Sequence, residues 1–122
     1  MSRIIQFVFE LQNNIKLYHW MTLSYSRHKA ADELIDKISE LSDHLIEVYV
    51  GKYGRPSMSA KTSNIHLQNL DDKNIIKYLD DSIAFLLRDI PKLLTKDDVD
   101  MLNIRDEMVA ALNQTKYLFT FV

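Results

Sequence analysis

The sequence predicts an all-α protein: an antiparallel bundle of four helices with one long crossover between the second and the third. Three observations carry this. The 122 residues include only two glycines and two prolines, too few turn-formers for a sheet-rich chain of this length. Apolar residues recur at intervals of three and four through four separate segments. Two of the connections between those segments are short and one is long. The balance of 47% apolar to 26% charged residues suits a single globular domain spanning 1–122 and not a disordered chain.

Helix A is expected from Arg3 to Thr22, with Ile4, Val8, Leu11, Ile15 and Tyr18 on its apolar face. Helix B is expected from Arg27 to Lys52. It stops at the stretch holding Gly51, Gly54 and Pro56, because glycine past the last turn and proline beyond it end helices. Residues 55–70 form a connection containing Ser57, Ser59, Thr62, Ser63 and Asn64, and the piece from Asn64 to Leu70 is a candidate short helix. Helix C is expected from Asp72 to Leu94, with Ile75, Ile76, Leu79, Ile83, Leu86, Leu87 and Ile90 on its apolar side. Pro91 ends or kinks it, since proline has no N–H to give the helix. Helix D begins at Lys96-Asp97-Asp98, acidic residues suited to a helix N-terminus, and continues through Met101, Leu102, Met108, Leu112, Leu118 and Phe119. The short A–B and C–D links make each pair an antiparallel hairpin. The B–C connection is long enough to cross the whole bundle, which is the ferritin-like arrangement.

Several function classes are excluded or disfavoured. The net charge is −2 and neither end carries a basic run, so nothing is built to neutralise phosphates and a nucleic-acid partner is not expected. Cysteine is absent, which removes disulfides, thiolate metal sites and cysteine nucleophiles. Gln6 and Glu10 interrupt the apolar start of the chain, so it does not read as a signal peptide. No apolar stretch reaches the roughly 18 residues of a membrane span. A soluble protein of the cytoplasm is expected.

Helix B carries the residues that point to chemistry. His28, Asp32, Asp43 and Glu47 are all side-chain types that ligate divalent metals, and each of the pairs 28/32 and 43/47 is four apart, on one face. Counting about 100° per residue from His28, Asp32 falls near 40°, Asp43 near 60° and Glu47 near 100°. Leu34, Ile38, Leu41, Leu45 and Val48 fall between about 200° and 280° on the same count, so the stripe of candidate ligands points away from the core. The midpoints of the two pairs are about 22 Å apart along the helix, too far to meet within one chain. A two-fold axis near Lys37 and Ile38 solves this. It lays helix B antiparallel on its symmetry mate, sets 28/32 of one chain against 43/47 of the other, and makes two equivalent sites per dimer. Ile35 and Ile46 flank the stripe, and Asp36 and Ser39 lie on it. His19, near the end of helix A and followed by Trp20, lies within reach of the same rim. Taken alone, an acidic i,i+4 pair is usually just the wet face of an amphipathic helix. His44 lies off the stripe and His66 lies in the connection, so neither joins the candidate set.

Tyr18-His19-Trp20, His28-Lys-Ala-Ala-Asp32, Asp43-His-Leu-Ile-Glu47 and Gly54-Arg-Pro56 together resemble the motif of the Dps family, the miniferritins. The resemblance covers residues 18–56, and the internal spacing on helix B matches without a gap. It implies a ferritin-like bundle with a ferroxidase centre across a dimer interface. His19, His28 and Asp32 would come from one chain, Asp43 and Glu47 from its mate, and Trp20 would pack beside the site. The implied activity is oxidation of ferrous iron by peroxide or oxygen, with mineral storage in a shell of twelve subunits. The chain departs from the family in three ways. Its His19–His28 interval is three residues shorter, it lacks the basic tail with which some members bind DNA, and it is shorter overall. The overall pattern is also similar to ferritin-like proteins of large DNA viruses and phages. A di-iron site inside a single bundle would need Glu-x-x-His inputs, and no such motif occurs. The rival reading is a non-catalytic ferritin-like protein used for structure or partner binding, with idle ligands. A buffer that loads zinc or iron without redox turnover is a third.

Overall fold

The computed structural model describes residues 2–121 and is all-helical there. The elements are α1 (Ser2–Met21), α2 (Tyr25–Tyr53), α3 (Ile75–Ala84), a π-helical turn (Phe85–Asp89), α4 (Ile90–Leu93) and α5 (Val99–Leu118). The segment from α3 through the π turn to α4 is unbroken, so four helical rods result, and no strand occurs among the described residues. None of the helices among these residues is long and apolar enough to cross a membrane.

α1 packs on α2, α2 on α5, and α5 on α3 and the π turn. The ring is closed between α1 and the third rod by large side chains. Phe7 stacks on Phe85 with centroids 4.2 Å apart, and Asn14 Nδ2 donates to the Tyr78 hydroxyl at 3.2 Å. All five apolar positions expected on helix A are buried, and so are Leu34, Ile38 and Leu45 of α2. The ends are set by local chemistry. Ser24 Oγ accepts the N–H of Arg27, capping an α2 that starts two residues earlier than the apolar pattern suggests. At the other end Gly54 takes φ 86°, a backbone region that glycine enters without steric cost.

Three sequence expectations need correction. Residues 64–70 form no helix, because α1 takes up their backbone groups. Gln6 Nε2 donates to the carbonyls of Thr62 and Asn64, Asn14 Nδ2 donates to the His66 carbonyl, and the Gln68 N–H donates to Asn14 Oδ1. The connection therefore follows α1 from its first turns to its last, where Tyr18 and Thr22 donate to Asp72. Helix D starts at Val99 and not at Lys96. Asp98 turns its carboxylate inward to Lys52, Tyr53 and the Thr95 N–H and caps nothing.

Leu87, expected on the apolar side, is 49% exposed while Leu86 and Ile90 are buried. Pro91 explains the shift in register. The Ile90 N–H reaches back five residues to the Phe85 carbonyl, and the next donor in that ladder would be residue 91, which has none. The carbonyl of Leu86 is left over, and Arg105 Nη1 from α5 donates to it at 2.9 Å. Replacing Arg105 by methionine keeps the aliphatic stem and removes the donor. Urea unfolding should show a loss of about 1–3 kcal/mol, the cost of leaving one such acceptor unsatisfied. Asp106→Asn, which breaks only the exposed pair with Arg105, should stay within about 0.5 kcal/mol of wild type.

Candidate metal centre

The α1–α2 turn spans residues 22–24 and is held by a side chain from the far end of the connection. Asp72 accepts from the Tyr18 hydroxyl at 2.7 Å, from Thr22 Oγ1 and from the Leu23 N–H. Arg27 Nη1 donates to the Asp72 carbonyl, and its Nε donates to the Phe119 carbonyl. Burial pushes the Asp72 carboxyl up, but the hydrogen bonds from Thr22, Tyr18 and Leu23 outweigh it and hold the group below the usual carboxylate range. Sequence reasoning passed over Asp72 and Arg27. The only signal was a buried-looking Tyr18 needing a partner for its hydroxyl.

This tight turn sets His19 directly against His28. Their rings stack with centroids 3.8 Å apart and planes 16° from parallel. Each ring bonds the other's backbone: His19 Nδ1 pairs with the His28 carbonyl at 2.7 Å, and His28 Nδ1 with the His19 carbonyl at 2.8 Å. A carbonyl oxygen only accepts, so both Nδ1 atoms carry the proton, and in the neutral ring each Nε2 is left with its lone pair. That is the arrangement in which metal-ligating histidines are usually held, with the other ring nitrogen donating to a backbone carbonyl. Asp32 lies beside them, Oδ1 3.9 Å from His19 Nε2, with its side chain half-exposed. The shorter His19–His28 interval thus yields a close pair. Tyr25 lies roughly parallel to the His28 ring at 6.1 Å, and Trp20 is 65% exposed beside the turn.

Asp43 and Glu47 are both exposed and do not join this cluster. α2 is uninterrupted from Tyr25 to Tyr53, so Asp43 stands about 16 Å along the helix from Asp32. Among the described residues no three His, Cys, Asp or Glu side chains of the single chain converge closely enough to hold a metal ion. The single chain therefore holds only part of a site: His19 stacks on His28, Asp32 Oδ1 lies 3.9 Å from His19 Nε2, and Asp43 and Glu47 stand apart farther along α2. His44 is exposed on another face, in a groove with Glu40, Leu41, Glu107 and Ala111. His66 is exposed in the connection.

The chain belongs to a family of unknown function (DUF5856), which matches it over residues 19–119 and so includes all five candidate ligands. No curated protein and no solved structure matches it.

Proposed function

We propose that this protein is a Dps-like ferroxidase that oxidises ferrous iron at a site completed when two chains pair through α2 about a two-fold axis. The bundle would then be ferritin-like, with residues 54–74 as its long crossover. The hydrogen bonds that carry this connection along α1 support that arrangement. The single observation that carries the functional reading is the His19–His28 clasp, which leaves the Nε2 lone pair of each ring free, that of His19 3.9 Å from the Asp32 carboxylate. Imidazole and carboxylate together suit iron and leave positions open for an oxidant. The partner's Asp43 and Glu47 would add the remaining carboxylates, drawing in the cation and stabilising the higher charge of the ferric product.

Iron is the substrate. Two ferrous ions give up one electron each. Peroxide takes both electrons and two protons, its O–O bond breaks, and it leaves as two waters. The ferric ions then hydrolyse toward mineral. Anaerobic titration with ferrous iron should saturate near two sites per dimer, and a peroxide pulse should then give a fast rise in ferric absorbance. Absence of binding above background would sink the reading.

One feature favours a second reading. The histidine clasp closes the hairpin by stacking and hydrogen bonds, so it has a structural use without metal. A dimer of stable mass that never forms a larger shell and turns over no iron would identify a ferritin-like structural or interaction protein instead.

A further inference from the structure

The outer face shared by α1 and α2 carries an unfilled hole at one end and, at the other, an exposed aromatic knob with the Lys16 ammonium over its ring. On α1, Ile5, Phe9, Gln12, Lys16 and Trp20 fall within one stripe at about 100° per residue. Between the first part of that stripe and α2 lies a cleft of about 230 Å³ lined by Ile5, Phe9, Gln12, Ser42, Asp43 and Ile46. Ser42 is 3% exposed, and its Oγ is the buried side-chain polar atom without a hydrogen-bond partner among the described residues. Such an orphan costs stability unless something supplies its partner. At the opposite end of the stripe stands Trp20, the chain's sole tryptophan, 65% exposed. Its indole N–H can only donate.

We infer that in the paired protein Trp20 of each chain inserts into the Ser42 cleft of the other. This rests on the two-chain reading of the site. The two-fold that lays His28 and Asp32 on the partner's Glu47 and Asp43 also carries the Trp20 end of α1 over the half of the partner's α2 that holds Ser42, Asp43 and Ile46. The two lysines of the histidine end, Lys16 and Lys29, stand beside Asp32 and Glu33 there and would meet the partner's carboxylates Asp43 and Glu47 in that direction. Size agrees as well. A cavity of about 150 Å³ accepts benzene, so the larger cleft suits a bicyclic ring. Phe9 and Ile46 offer apolar walls, and the indole N–H would donate to Ser42 Oγ. The occupant is therefore a second copy of this chain, and the same contact would fix the register in which the two halves of the metal site meet.

The lone tryptophan reports the event directly. Emission spectra of the metal-free protein would be collected across a dilution series, alongside sedimentation velocity to follow mass. As dimer forms, emission should move to shorter wavelength. Ser42→Leu fills the cleft and should keep emission at the exposed position while weakening dimerisation at least tenfold. Ser42→Ala keeps the hole and should retain most of the shift. A dimer whose tryptophan emits like an exposed indole overturns this inference and leaves the two-chain metal site standing. An unchanged shift in a folded Ser42→Leu protein overturns it too. A chain that stays monomeric at all concentrations, with or without ferrous iron, ends both.

Discussion

Asp43→Ala should slow rapid ferrous oxidation by on the order of a hundredfold or more while leaving helix content unchanged. The magnitude follows from metal sites generally, where losing even an outer-shell partner costs about 10–100-fold. Helix content should hold because Asp43 is exposed and replacement by alanine favours a helix. His28→Ala should do the same from the other half-site, with some loss of stability because it also breaks the clasp. The two variants differ in an informative way when mixed. In the proposed pairing each site takes residues 28 and 32 from one chain and 43 and 47 from the other. A hybrid of Asp43→Ala with His28→Ala therefore has one site with both defects and one with none. Random re-pairing makes half the dimers hybrids, so activity should recover to about a quarter of wild type. Neither homodimer recovers anything. Failure of the mixture to regain activity, with hybrids shown to form, would rule out a site shared across the two-fold. A wild-type rate for Asp43→Ala would remove that residue from the site altogether.

The all-helical class and most of the core were legible because they rest on period. Ile4, Val8, Leu11, Ile15 and Tyr18 repeat at helical spacing and are all buried. What was not legible depends on contacts between segments distant in sequence. No local pattern reveals that the 64–70 backbone will spend its hydrogen bonds on Gln6 and Asn14. Nor does one reveal that Asp98 will leave the helix it precedes to meet Lys52. Pro91 announced a disturbance, but whether a kink, a stop or a wider turn follows depends on Arg105 being there to take the freed carbonyl. At the candidate site, the stripe on α2 was readable as angles. The stacking of His19 on His28 was not, because it depends on a turn of three residues held by Asp72 from fifty residues away. Reading the spacing alone set the short interval apart as a departure. The turn makes it the means by which the two rings fix each other's tautomers.

Asp98→Ala should produce the largest loss of stability of any single polar substitution in the chain. The carboxylate is 1% exposed and accepts from Lys52 Nζ at 2.8 Å, from the Tyr53 hydroxyl at 2.7 Å and from the Thr95 N–H at 2.8 Å. It thereby joins the end of α2 to the start of α5, which no other buried charge does among the described residues. Truncation leaves these donors without their shared acceptor, and Tm at neutral pH should fall by on the order of 10 °C. The pH dependence separates charge from packing. The hydrogen bond from Lys52, then those from Thr95 and Tyr53, hold the Asp98 carboxyl far below the usual carboxylate range. The folded state therefore binds this proton less readily than the unfolded chain. The contribution is fully present above about pH 4, the unfolded value, and is lost as pH falls through the folded one. Lys52 is shifted in the opposite sense, upward, by Asp100 and then Asp98. Its own proton comes off only as pH rises through the raised value, so Lys52 stays charged from acid to neutral and the pH dependence of the pair in that range is carried by the carboxylates it meets. The Tm gap between wild type and the near-isosteric Asp98→Asn should accordingly be widest at neutral pH and close as the solution is taken well below pH 4. A gap of constant width down to strong acid would mean that shape, and not the buried negative charge, is what residue 98 supplies.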